Sequence, residues 1–368
     1  MAGTIVSDLE EITFKAPLPG HFVGQFLPAS NTIAESPTRT PITTSPSTPA
    51  SRIESLPYEI KLQIVSLLDV CVVNDLRLVC SSLRELVDAH LDFQLVQALP
   101  KLMRAVCHLG CRYYTLATLA AAVRDNRCSC CQNYGDYLYL LTAERLCYHC
   151  FREQPDYVPK AIKAPSPSLL AALESKAPLA TVPPGAYGLF GKARLERPQL
   201  VIDRWALAHL SAQERQQLGG DNDSLGDSEP ETERQGYLSQ TSLNHSSPWA
   251  TALLPARYTV VLPAPYWEQE TQTFHAGVFC RACAMSAETQ SHPPRCLPRS
   301  LFWDYPYRRY TEKEGMRRHM EECGPVRKVV TADGTGAKYV HDSAPGKAFV
   351  RPDELCRSAA PSNGFRDN

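Results

Sequence analysis

Four cysteines, Cys128, Cys131, Cys147 and Cys150, stand in the order C-x2-C-x15-C-x2-C. This spacing constrains the chain more than any other feature it has. A Cys-x2-Cys turn places two thiolates on one edge of a tetrahedron, and zinc prefers four soft ligands in that geometry. The spacing falls in a known structural-zinc range. Between the pairs lie a turn at Tyr134-Gly135-Asp136 and an alternating run from Tyr137 to Leu141. Such a segment folds as a strand or hairpin and brings the two pairs together. Cys130 and His149 sit inside the cluster but fit the pattern less well than their neighbours. Cys107 and Cys111 share a helix face at i, i+4, in a stretch apolar enough for plain burial.

A second cluster begins at Cys280-Arg-Ala-Cys283. Downstream, YTEKEGMRRHMEEC reads as a helix that places His319 and Cys323 at i, i+4 on one face. The result is C-x2-C-x35-H-x3-C, a Cys3His set with a long insertion. Cys296, His275 and His292 are alternative donors. Both sets look closed, which favours structural over catalytic zinc. The clusters lie about 130 residues apart, so an interleaved RING-type cross-brace is not expected. No metalloprotease, phosphate-loop, nucleophile-elbow or dinucleotide pattern is present, and no catalytic residue is expected.

The chain has 14 cysteines and 30 prolines among 368 residues, with a formal net charge of −1. Its first residues, MAGTIVSDLEEITF, lack a basic start and a long apolar run, so no secretory signal is expected. No stretch reaches the ~18 apolar residues that suggest a membrane span. A cytoplasmic or nuclear location follows, where reduced cysteines in pairs bind metal rather than form disulfides. Near-neutrality excludes a uniformly basic nucleic-acid binder. One patch works against that average. Trp303, Tyr305, Tyr307, Arg308, Arg309 and Tyr310 precede a helix with Arg317 and Arg318, and aromatics interleaved with arginines suit base stacking and phosphate contact. A zinc-dependent nucleic-acid-binding protein is therefore the alternative reading. Packing around the second zinc site with a solvated basic rim is the preferred one, and nucleic acid is not the expected partner.

Composition divides the chain as follows. Residues 1–51 form a disordered leader, rich in Ser, Thr and Pro over 29–51. Residues 52–93 form a compact helical module, and 94–127 a helical connector interrupted at Pro100. Residues 128–155 form the first zinc module. A proline-punctuated middle region covers 156–217, with helices expected over Ser168–Ser175 and Ile202–Gln217. Residues 218–248 form an acidic disordered linker, 249–328 a second zinc module, and 329–368 a tail. Within the tail, Asp333-Gly334 suggests a turn between short strands, and fraying is expected beyond about 343.

Within 52–93, Ile60, Ile64, Leu67 and Leu68 recur with helical period, with Ser55 as N-cap and Pro57 in the first turn. Further helices should carry Leu76, Leu78 and Val79, then Leu83, Leu86 and Val87. About 40 residues bury too little to be stable alone, so apolar surface should be left for a partner. The pattern Leu-Pro-x-Glu-Ile, Ile-x-x-Leu-Leu, Leu-Arg-Leu-Val-Cys-x-x-Leu-Arg-x-Leu over 56–86 resembles an F-box. It departs at Leu83, where F-boxes often have an aromatic. The resemblance implies docking to a Skp-type adaptor and, through it, to a cullin–RING ubiquitin ligase (SCF). It implies adaptor contacts from Leu56, Pro57, Glu59, Ile60, Ile64, Leu67, Leu68, Leu76, Val79 and Cys80. Together with the two cysteine sets, the chain resembles a group of fungal F-box proteins with cysteine-rich zinc-binding segments. That implies a mainly α fold with an N-terminal three-helix F-box, small zinc-stabilised α+β elements and long disordered segments. It further implies a non-catalytic receptor that holds two structural zinc ions and binds a target protein the sequence does not identify.

Overall fold

The computed structural model describes residues 4–15, 22–27, 55–162, 165–174, 176–188, 193–218, 255–289, 309–311, 313–331 and 336–342. The Ser/Thr/Pro-rich stretch 29–51, the acidic linker from 219 to 248, Trp303–Arg308, Cys296, His292 and the tail beyond 342 lie outside those residues.

Helices dominate the first half. After a single turn α1 (Leu9–Ile12) come α2 (Tyr58–Leu67), α3 (Val70–Val79), α4 (Ser81–Asp88), α5 (Leu91–Gln97), α6 (Pro100–Leu109) and α7 (Leu116–Arg124). Their ends follow local chemistry. Asp69 caps α3 by accepting from the Val72 amide at 2.9 Å. Pro100 stands at the first turn of α6, where its missing N–H costs nothing, and Gly110 ends that helix in the left-handed region at φ 70°. Thr115 caps α7. The start of α2 differs from expectation. The N-cap position is taken by Pro57 rather than Ser55.

These helices are not a separate module. Val65, Val70, Val73, Leu86 and Val87 of α2–α4 share one buried core with Leu102 and Met103 of α6, Leu119 and Val123 of α7, and Tyr137–Leu141 beyond them. The Leu116 amide donates to the Leu68 carbonyl at 2.7 Å, which ties α7 to the end of α2. Buried Arg77 on α3 pairs with Asp88 on α4 at 2.7 Å and lies over the Phe93 ring.

From residue 125 on, short strands and short helices alternate, so the mainly α description fits the first half of the chain. The central sheet has β3 (Tyr137–Tyr139) between β4 (Glu144–Leu146) and β10 (Val261–Pro263), all antiparallel. The β3 strand is buried on both faces rather than alternating. The β10 strand comes from the segment expected to form a separate second module, so residues 128–155 and 249–328 are joined by one sheet. The middle region supplies a sheet ordered β5 (Lys160–Ala161), β9 (Gln199–Ile202), β6 (Leu179–Val182). The helix expected over Ile202–Gln217 is two helices, Arg204–His209 and Ala212–Gln217. Ser211 separates them because it forms a capping box with Glu214.

The leader also departs from expectation. Strand β1 (Thr4–Val6) pairs with β14 (Val326–Val330), which in turn pairs with β15 (Ala337–His341). Strand β2 (Thr13–Phe14) pairs with β13 (Phe279–Cys280). Ile12 is fully buried in a second core with Val278, Met316 and Val326. The leader's first residues are thus structured by pairing with strands more than 260 positions away, which local composition does not reveal.

Arg145 on β4 is fully buried and donates to the carbonyls of Ala122, Gly135, Ala264 and Pro265 at 2.8–2.9 Å. It pins α7, the cysteine loop and the segment after β10 to one another. A side chain on Gly135 would meet Arg145 Cγ at 2.7 Å, so only glycine leaves the arginine its path. Arg145→Met is expected to lower the unfolding free energy by about 3–5 kcal/mol, since bonds to a charged donor contribute about 1.5–3 kcal/mol each and water rescues the stranded carbonyls only in part. Urea unfolding measures this, and a loss under about 1 kcal/mol contradicts the role.

Candidate metal centres and adaptor-facing helices

The first cysteine set is assembled by a loop, a hairpin and a helix start. Cys128 follows α7, and its amide donates to the Asn133 carbonyl at 2.7 Å while its carbonyl accepts from Gln132 at 2.9 Å. This closes a tight turn, with Gln132 at φ 60°. The β3–β4 hairpin then carries the chain to Cys147, which caps α8 (Tyr148–Glu153). The Cys150 backbone amide donates to Cys147 Sγ at 3.4 Å, and the side-chain Nδ2 of Asn133 donates to Cys131 Sγ at 3.3 Å. Such N–H···S bonds suit thiolates.

Donor atoms of Cys128, Cys131, Cys147 and Cys150 all lie within 4.8 Å of one another. The Cys131 and Cys147 sulfurs are 3.5 Å apart. Contact with Cys128 and Cys131, added to burial, pushes the Cys147 thiol well up. Packed thiols resist ionising beside one another, and a cation among them reverses that balance. Cys130 lies on the rim, 3.3 Å from Tyr157 Oη. Its pKa is pulled down to about 5, by Cys128 first and then by Cys150, against the effect of burial.

In the second set, Cys280 ends β13, Cys283 lies in the helix Arg281–Thr289, and His319 lies in the helix Glu314–Cys323. The fourth donor within 4.8 Å of all three is His341, at the end of β15. Its Nε2 is 3.4 Å from Cys280 Sγ and 3.3 Å from Cys283 Sγ, and His319 Nε2 is 3.4 Å from Cys283 Sγ. Cys323, the expected fourth donor, contacts Cys283 and His319 but stands outside that quartet. His275 is elsewhere, beside Glu268 on a separate hairpin. Each quartet could hold a metal ion, and soft thiolates with imidazoles are a donor chemistry consistent with zinc.

Of the expected adaptor contacts, Pro57, Glu59, Ile60, Ile64, Leu67 and Val79 are exposed. Leu56, Leu68, Leu76 and Cys80 are half-buried, and Leu68 and Leu76 pack against the main core. Ile60 is 41% exposed, Ile64 38%, Leu67 70% and Val79 69%; Tyr58 and Leu78, not among the expected contacts, are equally open at 51% and 53%. The α2 and α3 helices carry apolar residues on more than one face, which marks helices with two faces to cover. Val65 and Val73 face this chain's core, and the opposite face carries the exposed residues.

Cys107 and Cys111 show no part in either quartet. Cys111 is fully buried, and burial pushes its thiol up. Arg309 of the aromatic–arginine patch is buried and donates to the Ala276 carbonyl at 2.6 Å, and Tyr310 packs against His319 with the rings tilted by 31° and their centroids 4.4 Å apart.

Metal content checks the first set. Cys147→Ser is expected to carry one ion fewer per chain than wild type, by elemental analysis of purified protein. Acidification should release the ions from wild type, because protons compete for thiolate and imidazole ligands. Equal metal content in wild type and Cys147→Ser contradicts the assignment.

Searches of curated proteins and of solved structures return no match to this chain. A family model for the F-box domain matches residues 53–94, which cover α2–α4 and the start of α5. F-box domains bind Skp-type adaptors within SCF ubiquitin ligases, and the chain carries such a domain at residues 53–94.

Proposed function

We propose that this chain is the substrate-receptor subunit of a cullin–RING ubiquitin ligase. The F-box docks a Skp-type adaptor, the adaptor bridges to a cullin, and the metal-held region binds a target protein. The observation that carries this reading is the apolar surface left open on α2 and α3. Ile60, Ile64, Leu67, Leu78 and Val79 lie on helices whose other faces are already packed, inside the segment matched by the F-box model. Exposed apolar groups on helices whose other faces are packed suit an interaction surface, and a helix start fixed by Pro57 loses little freedom on docking.

Both cysteine sets hold zinc with a structural role. Four protein donors leave no open position for a substrate or water, so the chain performs no chemistry itself. It raises the effective concentration of a bound target near the conjugating enzyme. It works in the cytoplasm or nucleus, where thiols stay reduced.

The alternative, a zinc-dependent nucleic-acid binder, loses two of its arginines. Arg309 is turned inward, and Arg317 pairs with Glu314 and Glu321, both at 2.9 Å. Neither presents a free charge to phosphate.

Co-purification of the full chain with a Skp-type adaptor tests the proposal, using wild type and Ile60→Asp/Ile64→Asp. Both positions are exposed, so the double variant keeps its fold. Adaptor and cullin should come down with wild type, and adaptor recovery should fall at least tenfold in the variant. Equal recovery by both, or none by wild type, contradicts the docking surface. Adaptor recovery without cullin contradicts the ligase role.

A further inference from the structure

The second donor set holds five candidate ligands for four positions. Cys280, Cys283 and His319 belong to any arrangement, and either Cys323 or His341 completes it. We infer that His341 is the fourth ligand, making the centre Cys2His2, and that the ion thereby clasps the N-terminal strands to the rest of the protein. The inference rests on the reading that this set holds zinc.

Three observations support His341. The first is distance. Zinc–nitrogen and zinc–sulfur bonds of about 2.0–2.3 Å in a tetrahedron place ligand atoms roughly 3.3–3.8 Å apart. The 3.4 and 3.3 Å separations of His341 Nε2 from Cys280 and Cys283, and the 3.4 Å between His319 Nε2 and Cys283, are edges of that length. The second is tautomer. His341 Nδ1 lies 2.8 Å from the Gly324 carbonyl, an acceptor only. Nδ1 therefore carries the proton, and the Nε2 lone pair faces the sulfurs. A metal-binding histidine is commonly held in this way, by a carbonyl on its other nitrogen. The third is mutual closeness. His341 is within 4.8 Å of Cys280, Cys283 and His319, which lie equally close to one another, so these four form one mutually close group. Cys323 shares a helix face with His319 because of the i, i+4 spacing, but the last corner is occupied from the other side by β15.

The choice of ligand changes what the ion holds. Cys323 would join Cys280 of β13 to the two helices that carry Cys283, His319 and Cys323, with no tie to β15. His341 belongs to β15, which pairs with β14, and β14 pairs with β1. Cys280 belongs to β13, which pairs with β2. An ion on Cys280 and His341 therefore ties β13, on which β2 is laid, to β15, whose neighbour β14 carries β1. Residues 4–14 are also secured by Ile12 in the core around the cysteines, by Arg281 Nε on the Thr13 carbonyl at 2.9 Å, and by Glu11 beside Lys328 and Tyr339.

The test compares full-length wild type, Cys323→Ser, His341→Ala and His341→Cys. Zinc per chain is measured first, then the absorption of the cobalt-substituted proteins, in which thiolate charge-transfer intensity follows the number of sulfur ligands. Wild type and Cys323→Ser should each hold two zinc ions with the same cobalt spectrum. His341→Ala should hold one, and limited proteolysis should cleave its first 15 residues at least tenfold faster than those of wild type. His341→Cys should regain the second ion with added thiolate intensity, and it decides the matter if His341→Ala does not fold. Loss of an ion in Cys323→Ser overturns the inference, as does retention of two in His341→Ala or an unchanged cobalt spectrum in His341→Cys. Fewer than two ions in wild type, with the first set intact, overturns the reading of the second set as a zinc centre and the inference with it.

Discussion

Four buried thiols crowded within a few ångströms are a costly arrangement unless a cation joins them. The quartet of Cys128, Cys131, Cys147 and Cys150 imposes that condition at the centre of this chain. The cysteine loop, the β3–β4 hairpin and the start of α8 have geometry because their sulfurs must converge. Around them, Phe22, Tyr137, Phe151 and Tyr258 form a ring cluster with centroids 4.8–6.4 Å apart. Arg257 donates to the carbonyls of Phe151 and Gln154 at 2.6 Å, closing the far end of α8. Each short element here is too small to be stable alone and is held by its neighbours.

The F-box helices depend on the same condition. Their inner faces complete the core that the hairpin fills from the other side, with α6 and α7 between. A free F-box of about 40 residues would be marginal. This one borrows its stability from the cysteine-held half and keeps one apolar face uncovered. The coupling of fold to function is therefore mechanical. The apolar surface these helices leave open is backed by the rest of the protein, which supplies the buried side.

What the sequence displays is local. The Cys-x2-Cys pairs, the proline and glycine that bracket α6, and the F-box pattern all act within a few residues, so spacing alone exposes them. The capping box at Ser211 was equally legible, and it explains why one expected helix is two. The misses are long-range. Nothing near Thr4–Val6 signals pairing with β14, and the short strands of the middle region find partners up to 42 positions away. His341 was hidden for the same reason. Spacing favours Cys323, one helical turn after His319, whereas His341 reaches the site only because a hairpin returns the chain past Gly324. In the F-box, periodicity located the apolar residues but could not say which face of α2 is packed. That depends on α7, which supplies the Leu116 amide to Leu68.

Hydrogen–deuterium exchange on the full chain, before and after metal chelation, probes most directly whether the cysteine-rich half and the F-box form one cooperative unit. Removal of the ions should raise exchange first over residues 137–151, then over α6 and α7, and finally over α2 and α3, because one core joins them. Loss of protection confined to the cysteine loops, with α2–α7 unchanged, would contradict a shared core and would make the F-box an independent module.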